Sequence, residues 1–506
     1  MTDALIADPR PSEMKQYQMF IGGEWVDSAD GATFTCTDPF NQVQWASVPR
    51  AAAADVDRAV AAARAAFENP EWSGLRPLQR AQLLRSLAEL IENNSEELAH
   101  VQVRENGKLL REVLGQAKLM ANHCYYYAGL AEVLEGKTTA ISIPDVLNYT
   151  VREPLGVVAA ITPWNSPLLL MLWKLGPALA AGNTIVIKPS EVTPVSTLLF
   201  CELVDRAGFP KGVVNVLTGF GDVGGELVRH PGVDKIAFTG STATGKNIAS
   251  AAGSRLARVS LELGGKSPNI IFSDAIPENA VKGVLAGIFG ATGQSCMAGS
   301  RVLIQDEIYD AIAESILEGV RAIKIGDPFH PDSEMGTVAF EGQYKKVLEY
   351  IDIGIGEGAT LLYGGQRPEN RPDLDEGLFI TPTVFGDVDN SMRIAQEEIF
   401  GPVVCLIRFK DDEDAIRIGN DTPFGLAAGI WTENIGRAHR VASRLRAGTV
   451  WVNTYRRTNY AAPFGGFKES GLGRENGSSA LDEYTEVKSV LVNLGGPIKD
   501  PFNPRA

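Results

Sequence analysis

Few residues in this chain can do covalent chemistry, and one of them sits in an unusual place. Cys296 lies in the stretch GATGQSCMAGSR (290–301), between a segment that reads as a helix (PENAVKGVLAGIFG) and one that reads as a strand (RVLIQ). A free cysteine is ordinarily a small buried hydrophobe; on a glycine-flanked connection it is also a candidate nucleophile. A nucleophilic thiol needs a base. The five histidines, His100, His123, His230, His330 and His439, all lie outside the glycine-rich loops, which disfavours a Cys–His pair. The carboxylate candidate is Glu262, at the end of the apolar run RVSLEL and just before Gly264 and Gly265. A carboxylate leaving an apolar strand at a ligand-binding edge has a raised pKa and can serve as a base. The alternative is a structural or helix-capping carboxylate.

Three further stretches suit a nucleotide. Gly219, Gly221 and Gly224 match G-x-G-x-x-G after a strand and at the start of a helix, the dinucleotide fingerprint in its proper context. The next strand, KIAFTG, offers no acid at its end, so a plain glycine turn stays open. Gly240 to Lys246 nearly matches a P-loop, but Asn247 replaces the hydroxyl that would hold magnesium. Nucleoside triphosphate hydrolysis is therefore rejected, while the free amides still suit a pyrophosphate. Lys188 and Glu191, in KPSE after a strand, can hydrogen-bond ribose hydroxyls; a carboxylate there repels a 2′-phosphate and favours NAD over NADP. A solvated ion pair is the plainer alternative.

The elements that must position these residues are legible as alternating patterns. Between residues 155 and 265, short β-branched runs (VVAAI, TIVIKP, VVNVL, KIAFTG, RVSLEL) alternate with helical segments. Serial βαβ units predict a parallel sheet covered on both faces, with ligands beyond the strands' C-terminal ends. PWN, KPSE, GFGDVG, FTGS and ELGG occupy those ends and should converge. From Arg301 onward the alternation resumes (RVLIQ, VVCLIRF, GLAAGIW, TVWVN), which predicts a second α/β unit. ISIPDVLNYTVRE (141–153) and EYTEVKSVLVNL (483–494) alternate like exposed antiparallel strands. They are expected to pair with each other and with another subunit, because an unpaired edge is a liability. The expected fold class is α/β. It comprises a Rossmann-like cofactor unit (1–135 and 154–264), a catalytic unit (265–465) and a small antiparallel oligomerisation element (136–153 and 482–500).

Bulk properties exclude other classes. With 506 residues, 44% apolar and 22% charged, the chain is an ordinary globular sequence of several domains. A net charge of −15 argues against nucleic acid. Five scattered cysteines without C-x-x-C or His/Cys metal spacing predict reduced thiols, no metal and a cytoplasmic setting. The N-terminus lacks a basic start and an apolar core, and no run of about 18 apolar residues predicts a membrane span.

Seven motifs in order then resemble the aldehyde dehydrogenase superfamily: PWN (163–165), KPSE (188–191), FTGS (238–241), ELGGKSPNI (262–270), GQSCMAG (293–299), EEIFGPV (397–403) and PFGGFKESGLGRE (463–475). The resemblance spans nearly the whole chain and implies NAD-dependent oxidation of an aldehyde to an acid, with NADP left open. It implies that Cys296 attacks the carbonyl, that Asn165 and the Cys296 N–H hold the oxyanion, and that Glu262 activates water to hydrolyse the thioester. By the same resemblance Trp164, Lys188, Glu191, Gly221, Ser241, Gly264, Glu398 and Phe400 hold the cofactor, with Gly221 only near the adenine. Ser166, Leu169, Trp173, Arg456, Thr458 and Phe464 are expected to line the substrate tunnel, and a homodimer or homotetramer is implied.

The chain departs from the family pattern in places. Ser166 stands where an aromatic is common, and Arg456, Arg457 and Thr458 where relatives often carry acidic or aromatic residues. Ser478 stands where a second, proton-relaying glutamate is expected. The arginines point to a substituted aldehyde or semialdehyde, unless they face solvent. Acyl transfer to coenzyme A is an alternative that Glu262 disfavours, and so is a non-catalytic member of the fold.

Overall fold

The computed structural model describes residues 13–498 and 501–502; residues 1–12 of the expected cofactor unit and 499–500 of the second expected edge strand lie outside the described residues. The serial βαβ region forms one eight-stranded sheet. Val157–Ile161 lies inside it. Thr184–Lys188 and then Val214–Val216 extend it in parallel on one side, and Lys235–Thr239 and then Arg258–Glu262 on the other. Helices cover both faces, so these strands are buried almost throughout and read as continuous apolar runs. The chain leaves the inner strand in one direction and later returns in the other. The switch between Val157–Ile161 and Lys235–Thr239 is where such a sheet opens a ligand crevice.

Antiparallel additions at the two edges were not visible in the sequence pattern, the first of them a hairpin of Met19–Ile21 with Glu24–Val26. Met19–Ile21 pairs with Val214–Val216, and Gly471–Leu472 pairs with Arg258–Glu262. Strands of two or three residues are too short to show alternation. The second addition carries the chain beyond residue 465 back onto the first sheet.

The second α/β region forms a seven-stranded sheet in the order Thr360–Tyr363, Thr383–Gly386, Val403–Phe409, Arg301–Gln305, Pro268–Ile271, Ala427–Trp431, Thr449–Val452. Only the outermost strand, Thr360–Tyr363, runs antiparallel. In the first sheet the motif loops leave the C-terminal ends of strands. In the second they enter the N-terminal ends: Gly264 and Gly265 precede Pro268, Cys296 precedes Arg301, and Glu398 precedes Val403.

The two segments expected as exposed strands pair over their length, from Thr485 opposite Pro154 to Asn493 opposite Val146. Asn183 anchors this ribbon to the first sheet. Its Nδ2 donates to the Tyr484 carbonyl (2.9 Å) and the Ala178 carbonyl (3.2 Å), and its Oδ1 accepts from the Gly156 N–H (3.0 Å), all without solvent access. Asn183→Ala would strand these buried backbone groups. The expected loss is about 2–3 kcal/mol of unfolding free energy in urea titrations; a loss below about 0.5 kcal/mol, within the range of a neutral surface change, would remove Asn183 as the anchor.

Candidate active site

A groove of about 550 Å³ opens at the switch point, walled by Trp164, Lys188, Glu191, Gly221, Gly224 and Ser241 among others. It shares Pro163, Trp164 and 239–241 with a second cavity of about 130 Å³, whose far wall is Asn165, Gly264, Cys296, Glu398 and Phe400. All eight residues expected to hold a cofactor therefore lie along one continuous path that ends at the cysteine. Lys188 is buried, and its Nζ lies 3.4 Å from Glu191 Oε2 at the rim. The G-x-G-x-x-G turn follows Val214–Val216, two strands away from the switch, so Gly221 sits at the end of the path far from Cys296. Lys246 of the near-P-loop pairs with the exposed Glu469, outside the groove. Ser241 caps its helix, its Oγ accepting from the Thr244 N–H at 3.2 Å.

The far wall is held by a helix that the sequence pattern did not reveal, Glu341–Gly356. Gln343 Nε2 donates to the carbonyls of Ile399 (2.8 Å) and Phe400 (3.0 Å), and Lys346 Nζ to the carbonyl of Glu398 (2.8 Å). Phe400 adopts a left-handed backbone, φ 61°, and its ring meets Trp164 edge-on at 5.2 Å. Strain of that kind persists only where neighbours over-determine it, and these bonds do so. The Gly265 N–H donates to Glu398 Oε1 at 3.0 Å, and a Cβ on Gly264 would lie 2.5 Å from Glu398 Oε2. Position 264 must be bare for that carboxylate to lie there.

Cys296 is half-buried at the inner end of the path. Burial pushes its thiol up to about 12, and the charges of Glu398 and Glu262 add to the effect; the Met297 N–H and Arg456 pull the other way. The loop before it is pinned. Gly293 has φ 70°, and a Cβ there would lie 2.0 Å from the Gly401 carbonyl oxygen. Gln294 donates from Nε2 to the Thr337 carbonyl (3.1 Å) and accepts at Oε1 from the Ala339 N–H (2.9 Å). Asn165 Nδ2 donates to the Gln294 carbonyl at 3.0 Å, which fixes its amide beside the cysteine loop with one N–H left over.

Glu262 is buried, and neither carboxylate oxygen has a hydrogen-bond partner among the described residues. Burial raises its pKa well above the usual carboxylate range, and the charge of Glu475 raises it further, against Lys174 and Arg474. Gly465 makes room for it: a Cβ there would lie 2.9 Å from Glu262 Oε1. Three positions before Ser478, Glu475 is a second glutamate whose charge Glu262 feels. It is buried, its Oε1 accepts from Lys174 Nζ, and the same ammonium donates to Thr239 Oγ1 at 2.6 Å.

On the substrate side, Leu169, Trp173 and Phe464 pack with Leu170, Leu426 and Met297 around Cys296. Ser166 is buried, and its Oγ accepts from Lys108 Nζ at 2.8 Å. A separate cavity of about 960 Å³ is lined by Lys108, Glu112, Gly290, Glu334, Arg456 and Arg457 among others. Thr458 departs from expectation. Arg456 adopts a left-handed backbone, φ 57°, which turns the chain, and Thr458 is exposed and lines neither this cavity nor that of Cys296.

Comparison with known proteins agrees with this geometry. An aldehyde dehydrogenase of Aspergillus niger is 47% identical over 98% of this chain and 99% of its own. The structure of betaine aldehyde dehydrogenase from Staphylococcus aureus, solved with NAD+, superposes with a TM-score of 0.94 at 43% identity, covering 95% of each chain. The NAD+ complex of an aldehyde dehydrogenase from Bacillus cereus gives 0.93 at 46%, covering 95% of this chain and 97% of that one. The sequence profile described as "Aldehyde dehydrogenase family" matches residues 25–490, and the chain belongs to that family.

Proposed function

We propose that this chain oxidises a substituted aldehyde to its carboxylic acid with NAD+. The observation that carries the reading is the single path from the Lys188–Glu191 rim to Cys296, with Glu262 buried behind it. The residues present fit a dinucleotide. The crevice stands at the switch point, Glu191 at the rim disfavours a 2′-phosphate, and the bare Gly264 keeps Glu398 within the wall. NAD+ in this groove supplies the hydride acceptor that no side chain can provide.

The chain's own residues perform the remaining chemistry. As Cys296 Sγ adds to the aldehyde carbon its thiol proton passes to water, and the carbonyl oxygen takes up negative charge. The free N–H of Asn165 and the Cys296 backbone N–H receive that oxyanion, each worth a few kcal/mol in the transition state. Loss of hydride from the same carbon leaves a thioester on Cys296. Glu262 then takes a proton from water, the hydroxide adds to the thioester, and the carbon–sulfur bond breaks to release the acid. Because its pKa is raised, Glu262 is protonated at low pH and gains base strength as pH rises. Lys174 and Glu475, linked to Thr239 beside Glu262, offer that proton a buried polar route.

Five free cysteines without a disulfide support a cytoplasmic location, and no helix among the described residues is long and apolar enough to cross a membrane. Val487 and Leu491, exposed on the paired ribbon, support association of two or more copies.

Glu262→Gln is expected to release about one NADH per subunit in a fast burst and then to turn over about 10²–10⁴-fold more slowly. Steady turnover at the native rate would discard Glu262 as the base. A thiol raised to about 12 is also expected to react with iodoacetamide about tenfold faster for each pH unit between 7 and 9, read by mass spectrometry of the Cys296 peptide. A plateau below pH 8 would contradict the raised thiol.

A further inference from the structure

We propose that the proton Glu262 takes from water leaves along one face of the first sheet, past Ser260 and Tyr484, to Lys235 and Glu483, and that Glu483 hands it to solvent at the far end of the strands. This rests on the oxidation reading above and adds positioning residues to its hydrolytic step.

The face is set by strand register. Lys235–Thr239 and Arg258–Glu262 are parallel neighbours, with Ala237 beside Ser260 and Thr239 beside Glu262. Alternate residues of a strand point the same way, so Lys235, Ala237 and Thr239 share one face with Arg258, Ser260 and Glu262. A covered sheet face is ordinarily apolar. This one carries a polar stripe from the active-site edge to the opposite edge, about 13 Å from Thr239 to Lys235 at the rise of an extended strand.

At the active-site end Lys174 bonds both Thr239 and Glu475, but both members of that pair are buried, so the pair alone does not reach solvent. At the other end Lys235 is fully buried. Its Nζ lies 3.6 Å from Glu483 Oε2 and 4.9 Å from the centre of the Tyr484 ring, and Glu483 is partly exposed. Gly473, φ 81°, makes room for that carboxylate: a Cβ there would lie 2.9 Å from Glu483 Oε1. Between the two ends Glu475 Oε2, the Ser260 and Tyr484 hydroxyls and Lys235 Nζ are buried without a hydrogen-bond partner among the described residues. Buried polar atoms that protein leaves unpaired are ordinarily satisfied by water, and the middle of the stripe, Ala237 and Ser260, carries its smallest side chains.

The charges along the stripe suit proton transfer. Lys235 faces Glu483, Glu475 and Lys174, and burial draws its ammonium down to about 8, within reach of neutral pH. Glu262 faces Glu475, Lys174, Arg474 and Glu483. Oxidation of one aldehyde by NAD+ and water yields the acid, NADH and one further proton, and Glu262 is where that proton lands. At each transfer one O–H or N–H bond forms as the previous one breaks. The proton ends in solvent and Glu262 returns to its carboxylate, with no electron moved.

The test follows decay of the Cys296 thioester by rapid acid quench and mass spectrometry of the Cys296 peptide, after mixing with NAD+ and hexanal. It compares the native enzyme with Glu483→Gln, Lys235→Met and Lys235→Arg. Decay is expected to slow about tenfold in Glu483→Gln and Lys235→Met, less than on loss of the base itself. It is expected to slow in Lys235→Arg as well, because a guanidinium does not give up its proton. Imidazole, a small proton carrier, is expected to restore the rate of Glu483→Gln at constant pH and ionic strength, which it would not do for a merely structural loss. If the Lys235 variants do not fold, Glu483→Gln carries the comparison from its partly exposed position. Decay at the native rate in Glu483→Gln, or a slowing that imidazole does not relieve, overturns the exit and leaves the oxidation reading standing. Absence of both thioester and NADH with hexanal and every other aldehyde overturns the oxidation reading as well.

Discussion

Parallel strands cannot be joined by tight turns, so the connections between the parallel strands of these two sheets are long crossovers, and their loops collect at the strand ends. Here the C-terminal edge of one sheet faces the N-terminal edge of the other. Val157–Ile161 and Lys235–Thr239 open the crevice from one side, and the loops entering Pro268–Ile271, Arg301–Gln305 and Val403–Phe409 close it from the other. The nucleophile, the base and the groove residues belong to different crossovers. They meet because both sheets end at the same plane.

That plane is largely dry, and dryness sets the chemistry. Burial raises the Cys296 thiol and the Glu262 carboxyl together, because each would become charged on losing its proton where little water reaches it. The one fully formed buried ion pair nearby, Lys174 with Glu475, sits behind Glu262 and is bound to Thr239 as well. A buried pair of this sort is weak evidence for stability, since desolvation offsets its attraction; its place next to the base is the better explanation for its presence.

The glycines of the motifs serve closeness more than flexibility. Gly264 admits the Glu398 carboxylate, Gly465 admits that of Glu262, Gly293 lets the Gly401 carbonyl approach, and Gly290 admits the Arg456 guanidinium. In each case a Cβ would collide with the group that defines the wall. A glycine-rich sequence that looks loose is, in the folded protein, a set of fixed contacts without side chains.

By itself the sequence determined the layered α/β architecture with its parallel strands and the pairing of the two edge segments, and its motifs singled out Cys296, Glu262 and Asn165 as candidates. These depend on local signals: β-branched runs, periodic apolar faces and motifs of fixed spacing. Tertiary structure alone decided the rest. The dinucleotide fingerprint around Gly221 matched its motif, yet its strand lies two places from the switch, a fact about sheet order that no local pattern carries. Glu341–Gly356 lies outside the strand–helix alternation that marks the sheets, and with it lie Gln343 and Lys346, which hold the Glu398–Phe400 wall. Lys108 gave no signal at all, because a lysine is ordinarily exposed; only the fold buries it and sets its ammonium against Ser166.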